Sequence, residues 1–166
     1  MMDIRRTVSV HMLECCRSAA VSLPSIVMNQ YEASISRAVV DAIQTFAEAA
    51  RPSECCGLLS GSNGIITDLH PLRNLAEQPE IGYFAAPEDL FQAMVRIRES
   101  GHKLIGIYHS HPKTMAYPSS KDVAMAFYPD AYYFIISLEP AADLRAFRIE
   151  DARIEAVTIN LIDAAQ

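Results

Sequence analysis

The sequence predicts a mixed α/β protein (α+β type), with a central mixed β-sheet flanked by helices. Three observations point there. Two long segments repeat apolar residues at helical spacing, and six others read as strands by alternation or as short apolar blocks. The two kinds are interleaved along the chain rather than gathered into separate halves. Hydrophobic residues make up 51% of the 166 and charged residues 20%, the balance of a chain with a buried core. That length suits one domain burying roughly two-thirds of its unfolded surface.

Residues 1–30 differ from the rest of the chain. They carry no clear period, and Pro24 would break a helix, so they are expected to form a poorly ordered extension, with the folded domain at 31–166. Met28 is a candidate start codon, which the mass of protein expressed from its own start site would decide. From Ser34 onward, Ile35, Val39, Val40, Ile43, Phe46, Ala47 and Ala50 recur at helical spacing. They predict an amphipathic helix that closes before Pro52. "CGLLSG" and "GIITDLHPL" predict two short strands around the turn Gly61-Ser62-Asn63-Gly64.

"PEDLFQAMVRIRESG" predicts the second helix. Pro87 suits its first turn, Glu88 and Asp89 favour its positive end, and Gly101 suits its stop. Leu90, Phe91, Met94, Val95 and Ile97 are expected as its core-facing stripe. "KLIGIYHSH" is a strand that ends in two histidines. "SKDVAMAF" is a short helix with Ser119 as its cap. "AYYFIISL" is a continuous apolar run, as a strand buried on both faces would be. "LRAFRIE" and "RIEAVTINLI" alternate well enough for two more strands.

Bulk properties narrow the function. The formal charge is −6, and an acidic chain lacks the basic surface that neutralises phosphates, which argues against nucleic acid as a partner. The four cysteines form two adjacent pairs, Cys15-Cys16 and Cys55-Cys56, without C-x-x-C spacing. Neighbouring cysteines rarely bridge each other, so a reduced, cytoplasmic protein is expected. The uncharged stretch 18–31 is interrupted by Pro24 and is too short to cross a bilayer. Arg5 and Arg6 before apolar residues faintly resemble a signal peptide, but Glu14 and Arg17 fall where the apolar region should be unbroken.

The chemistry concentrates in "HSHPKTMAYPSSKD", residues 109–122. Side chains two apart on a strand leave the same face, so the His109 and His111 imidazoles can converge as a pair of zinc ligands. Surface or core-satisfied histidines would give the same pattern. Asp122, three residues after Ser119, reads equally as a helix-capping partner or as a carboxylate folded back onto a cation. Both roles can coexist. Two histidines and one aspartate would leave one tetrahedral position for water, the arrangement of a catalytic zinc. Activated water needs a base, and Glu54 in "RPSECCGLL" is the candidate, although an exposed loop glutamate is the plainer reading.

Taken together, Glu54, then His109-Ser110-His111, seven intervening residues, Ser119, two residues and Asp122 resemble the JAMM (MPN-plus) zinc metallopeptidase motif. "PSECCGLLSG" is similar to the family's first catalytic strand and "IGIYHSHP…PSSKD" to its metal loop, and the resemblance covers about residues 31–160. It is similar to the compact prokaryotic members. It implies a JAMM/MPN, cytidine deaminase-like architecture and one Zn2+ held by His109, His111 and Asp122. It also implies Glu54 as general acid/base and Ser119 as a hydroxyl stabilising the oxyanion. Gly57 then reads as a strand position permitting close approach, and Cys56 as a small buried residue.

The implied substrate is a ubiquitin-like or sulfur-carrier protein cut after its C-terminal Gly-Gly tail, at a peptide or isopeptide bond. A tail without side chains can thread a narrow channel and pair with a sheet edge. Deubiquitinating relatives carry long insertions, whereas the segments between Leu72 and Pro87 and between Leu138 and Leu144 are short here. That fits a minimal enzyme. The alternatives are a broad ubiquitin-type isopeptidase and a metal-free MPN-type binding scaffold. A DNA-repair-associated branch shares the metal motif but has a His-Asn-His loop. His11, His70 and His102 have no partner pattern and are expected to be structural or exposed.

Overall fold

The computed structural model describes residues 31–163, so the expectations for residues 1–30, including His11 and the Cys15-Cys16 pair, lie outside the described residues. Ten elements succeed one another along the chain. They are β1 Glu32–Ser36, α1 Arg37–Ala50, β2 Cys56–Ser62, β3 Ile65–Leu72, α2 Pro87–Glu99, β4 Lys103–His111, α3 Ser120–Ala124, β5 Tyr132–Ser137, β6 Asp143–Glu150 and β7 Arg153–Ile162. The strands form one central mixed sheet in the order β1-β3-β2-β4-β5-β6-β7, flanked by helices as expected. The sheet closes on itself because β1 pairs in parallel with both β3 and β7.

The central strands are buried on both faces, and their alternation sorts two cores. One side gathers Leu59, Tyr108, Phe134 and Ile136 under Val39, Ile43 and Ala47 of α1. The other gathers Leu58, Ile107, Tyr133 and Ile135 under Ala93 and Ile97 of α2. Successive residues of β2, β4 and β5 therefore serve opposite cores, as period-two geometry requires. This is why "AYYFIISL" has no polar face.

Two expectations are corrected. Ser34–Ser36 belong to β1, and α1 begins only at Arg37, with the Ser36 Oγ accepting the Val39 N–H. Ile35 is fully buried, but as a strand residue. In α2 the inward stripe is Leu90, Ala93 and Ile97, whereas Phe91 is 66% exposed and Met94 also faces outward. Small Ala93 lets the helix axis approach the sheet, which bulky Phe91 or Met94 at that position would prevent. The β2–β3 hairpin turns on Asn63 and Gly64, whose φ angles of 53° and 77° match the two-residue turn favoured by right-twisted strands.

Gly57 is one of the tight points of the central sheet. A Cβ there would meet the His70 carbonyl and lie 2.5 Å from the Tyr108 ring. Gly57→Ala should therefore destabilise the fold by about 1–3 kcal/mol, the usual penalty of overpacking. Chemical denaturation would read this as a lower midpoint with an unchanged slope.

Candidate metal centre

Strand β4 carries the two histidines to the end of the sheet. His109 sits opposite Cys56 on one side and Ile135 on the other. Being two residues apart, His109 and His111 emerge together, with their Nε2 atoms 3.0 Å apart and their ring centroids 4.9 Å apart. Ser110 between them takes the opposite role. Its N–H donates to the Cys55 carbonyl at 3.0 Å, and its Oγ accepts the Cys55 N–H at 2.8 Å. Those two bonds lock the start of β2, and with it Glu54, beside the histidine edge.

After His111 the chain loops out and returns. The Ser137 hydroxyl anchors the loop by donating to the Thr114 carbonyl at 2.7 Å. The His111 Nδ1–H donates to the Met115 carbonyl at 2.9 Å. A carbonyl can only accept, so this contact holds a proton on Nδ1 and leaves Nε2 facing His109 and Asp122, bonded to the carboxylate when protonated and offering a lone pair when neutral. The loop ends in the capping box of α3. The Ser119 Oγ accepts the Asp122 N–H at 3.2 Å, and the Ser119 N–H donates to Asp122 Oδ2 at 2.7 Å.

That capping box aims the carboxylate. Asp122 Oδ1 lies 3.4 Å from His109 Nε2, and Oδ2 lies 3.5 Å from His111 Nε2. The capping and cation-facing roles of Asp122 are thus both geometrically satisfied. One ligand atom from each of the three residues falls within 4.8 Å of the others, and all three residues are buried. Burial holds the His109 pKa below its ordinary value, against the pull of Asp122. For His111, burial lowers the pKa but is outweighed by its bonds to Asp122 and the Met115 carbonyl, so the net direction is up. For Asp122, burial pushes up, but bonding to His109 and His111 prevails and holds the carboxyl well below its usual range.

Glu54 stands beside this cluster. It is buried, and its Oε2 has no hydrogen-bond partner among the described residues. Burial pushes its pKa up to about 7, with His111 pulling it down and Asp122 pushing it further up. Glu54 therefore shares the electrostatic neighbourhood of the ligand trio while keeping one oxygen uncommitted. A buried, ionised Asp122 between two imidazoles, a His111 Nε2 directed inward and an orphaned buried carboxylate oxygen fit a site built for a divalent cation.

The remaining candidates take ordinary roles. His70 Nε2 lies 2.8 Å from Ser60 Oγ, and His102 pairs with Asp68 at 3.2 Å. Cys55 and Cys56 are free thiols; Cys56 is buried, and its Sγ lies 3.7 Å from the Leu72 carbonyl oxygen. Two residues near the site were not singled out from the sequence. The Tyr83 ring stacks on His109 with centroids 4.7 Å apart, and the Asn74 carboxamide bonds the Glu54 carbonyl. The one available signal for Asn74 was its type, since Asn side chains mimic backbone partners in loops. Tyr83 carried no signal, because its contact spans distant segments.

Comparison with known proteins gives a consistent family. The family described as "Prok-JAB: Prokaryotic homologs of the JAB domain" matches residues 36–150. The chain is 35% identical over 88 residues to the desampylase of Haloferax volcanii, a segment covering 52% of this chain and 63% of that one, less than two thirds of its length. It is 31% identical over 129 residues to the CysO-cysteine peptidase of Mycobacterium tuberculosis, covering 75% of this chain and 88% of the relative. Among solved structures, a JAB1/MPN domain protein from Archaeoglobus fulgidus superposes with a TM-score of 0.54 at 22% identity, covering 79% of this chain and 98% of that one. This last likeness concerns the fold alone.

Proposed function

Because the chain belongs to the prokaryotic homologs of the JAB domain, we propose that it is a zinc-dependent peptidase or isopeptidase acting on a ubiquitin-like or sulfur-carrier protein. It cuts after the carrier's C-terminal Gly-Gly tail. The observation that carries this reading is the convergence of His109, His111 and Asp122 beside a buried Glu54. The names of the relatives support the substrate class, one being a desampylase and the other a CysO-cysteine peptidase. The peptidase domain is residues 31–166, and the adjacent spacing of its two cysteines, which rarely bridge each other, supports a reduced, cytoplasmic setting.

His109, His111 and Asp122 would hold the zinc. Bound there, the ion supplies a Lewis acid that makes attack by water feasible near neutral pH and draws charge from the scissile carbonyl. Glu54 takes the proton from the attacking water and later delivers it to the departing nitrogen. In the metal-free protein burial raises its pKa, the direction that lets it hold the proton between the two halves of that exchange. Ser119 donates to the oxyanion. Its Oγ already accepts the Asp122 amide, so its single proton is left for that donation. The His111 Nδ1–H bond to the Met115 carbonyl fixes the ring's tautomer and orientation.

Ser119→Ala tests the oxyanion role. The variant should fold and hold zinc, while kcat falls about 10²-fold, the scale of one lost oxyanion donor. Full activity would remove Ser119 from the chemistry. The function itself is tested by incubating the enzyme with the host's own small proteins ending in Gly-Gly, with and without a chelator, and reading masses. Loss of a C-terminal adduct only without chelator supports the reading. No mass change across the whole set would refute it.

A further inference from the structure

We propose that Asn74 is the positioning residue of this site. It joins the main chain of Glu54 to the segment that covers His109, and through Glu54 it governs the rate of proton transfer. The proposal rests on the acid/base reading of Glu54.

The Asn74 carboxamide uses its full bonding capacity. Its Nδ2 donates to the Glu54 carbonyl at 3.0 Å and to the Gly82 carbonyl at 3.1 Å. Its Oδ1 accepts the Ala76 N–H at 2.9 Å and the Phe84 N–H at 3.0 Å. Two donors and two acceptor lone pairs are all that the group has. Gly82 and Phe84 are the two neighbours of Tyr83, so one side chain grips the peptides on either side of the ring that stacks on His109.

The same segment holds Glu54 from its other side. The Glu54 N–H donates to the Pro79 carbonyl at 2.7 Å. Leu75 N–H donates to the Phe84 carbonyl at 2.7 Å, and Asn74 bridges to Ala85, closing the base of the loop. Lys121, next to Asp122, lies against Gly82, where a Cβ would collide with its Nζ. Glu54 has no helix or strand of its own, because β2 begins at Cys56. Its placement therefore depends on these cross-loop bonds together with the Ser110–Cys55 pair, and among the described residues Asn74 is the one side chain hydrogen-bonded to both the Glu54 carbonyl and the flanks of Tyr83.

The test combines Asn74→Ala and Asn74→Asp, each alone and with Glu54→Gln. Asn74→Asp keeps the shape and the two acceptor contacts while losing both donations, so it guards against a merely unfolded alanine variant. The probe is a ubiquitin-fold protein whose C-terminal Gly-Gly is amide-linked to an aminocoumarin. Both single variants should lower kcat about 10–100-fold, the usual cost of losing a supporting partner, with KM little changed and zinc content unaltered. Added to Glu54→Gln, neither should slow the residual rate further, since both act through one group. Independently of catalysis, hydrogen exchange on the metal-free protein should show lost protection at the Ala76 and Phe84 amides in Asn74→Ala, whose acceptor is gone, and at the Glu54 amide in both variants, while β4 and β5 stay protected.

An undiminished kcat, an equal fall in both backgrounds, or unchanged amide protection would overturn the proposal. If Glu54→Gln itself runs at the normal rate, the acid/base reading fails. The amide protection then still decides whether Asn74 tethers the loop.

Discussion

On the proposed ligand set, replacing His109 or Asp122 with alanine should remove both the metal and the turnover. Each residue supplies one of three inward ligand atoms, and the remaining two cannot hold a divalent ion against water. Losing a mere outer partner of a ligand typically costs 10–100-fold in metal affinity, so losing a ligand should cost more than about 100-fold. Metal analysis of purified variants checks this directly, and stoichiometric zinc in either variant would contradict the ligand set. The two variants should differ in stability. His109→Ala leaves a hole under the Tyr83 ring. Asp122→Ala also destroys the capping box with Ser119, at a cost of about 1 kcal/mol.

Glu54→Gln separates chemistry from binding. The amide fills the same volume and cannot take a proton, so zinc content should match the parent while kcat drops about 10²–10⁴-fold. Near-normal turnover would end the acid/base assignment. The metal-free variant should also gain stability at high pH. Burial raises the Glu54 carboxyl to about 7 from an ordinary 4.5. A raised acid is protonated more readily folded than unfolded, so stability falls as pH climbs from about 4.5 through about 7. The glutamine carries no such penalty. Urea midpoints of the two metal-free proteins should therefore agree near pH 4 and separate above pH 7, the variant being the more stable.

Much of the architecture was legible because its signals are local. β4 at Lys103–His111 lies where the apolar run ending in the histidines places a strand, β7 at Arg153–Ile162 runs as its alternation predicts, and α3 begins behind its Ser119 cap. The candidate site was legible through the resemblance of its composite motif. His-x-His on one strand and Ser-x-x-Asp at one helix start are short-range geometries that by themselves left surface and capping roles open.

What failed was non-local. Ile35 fits a helical repeat as well as a strand, and β1 exists because Ser34 pairs with Asn160 of β7 and Ile65 of β3. Nothing near Ser34 encodes those partners. On α2, side-chain hydrophobicity favours Phe91 and Met94 as inward residues, yet the distance between helix and sheet selects Ala93. Asn74 and Tyr83 stayed hidden because their meaning lies in atoms 20 and 26 positions away, the Glu54 carbonyl and the His109 ring.

The amino-acid order alone determined that His109 and His111 leave one face of a strand and that Ser119 and Asp122 meet at one helix start, because backbone periodicity and capping dictate the direction of neighbouring side chains; the motif's resemblance supplied their reading as a cation site. Only the folded chain decided that Asp122 faces both imidazoles, that the Glu54 carboxyl is buried beside them, and that Asn74 bonds its main chain. Those facts depend on strand pairing and loop packing between distant residues, where burial and hydrogen-bond satisfaction outweigh local preference.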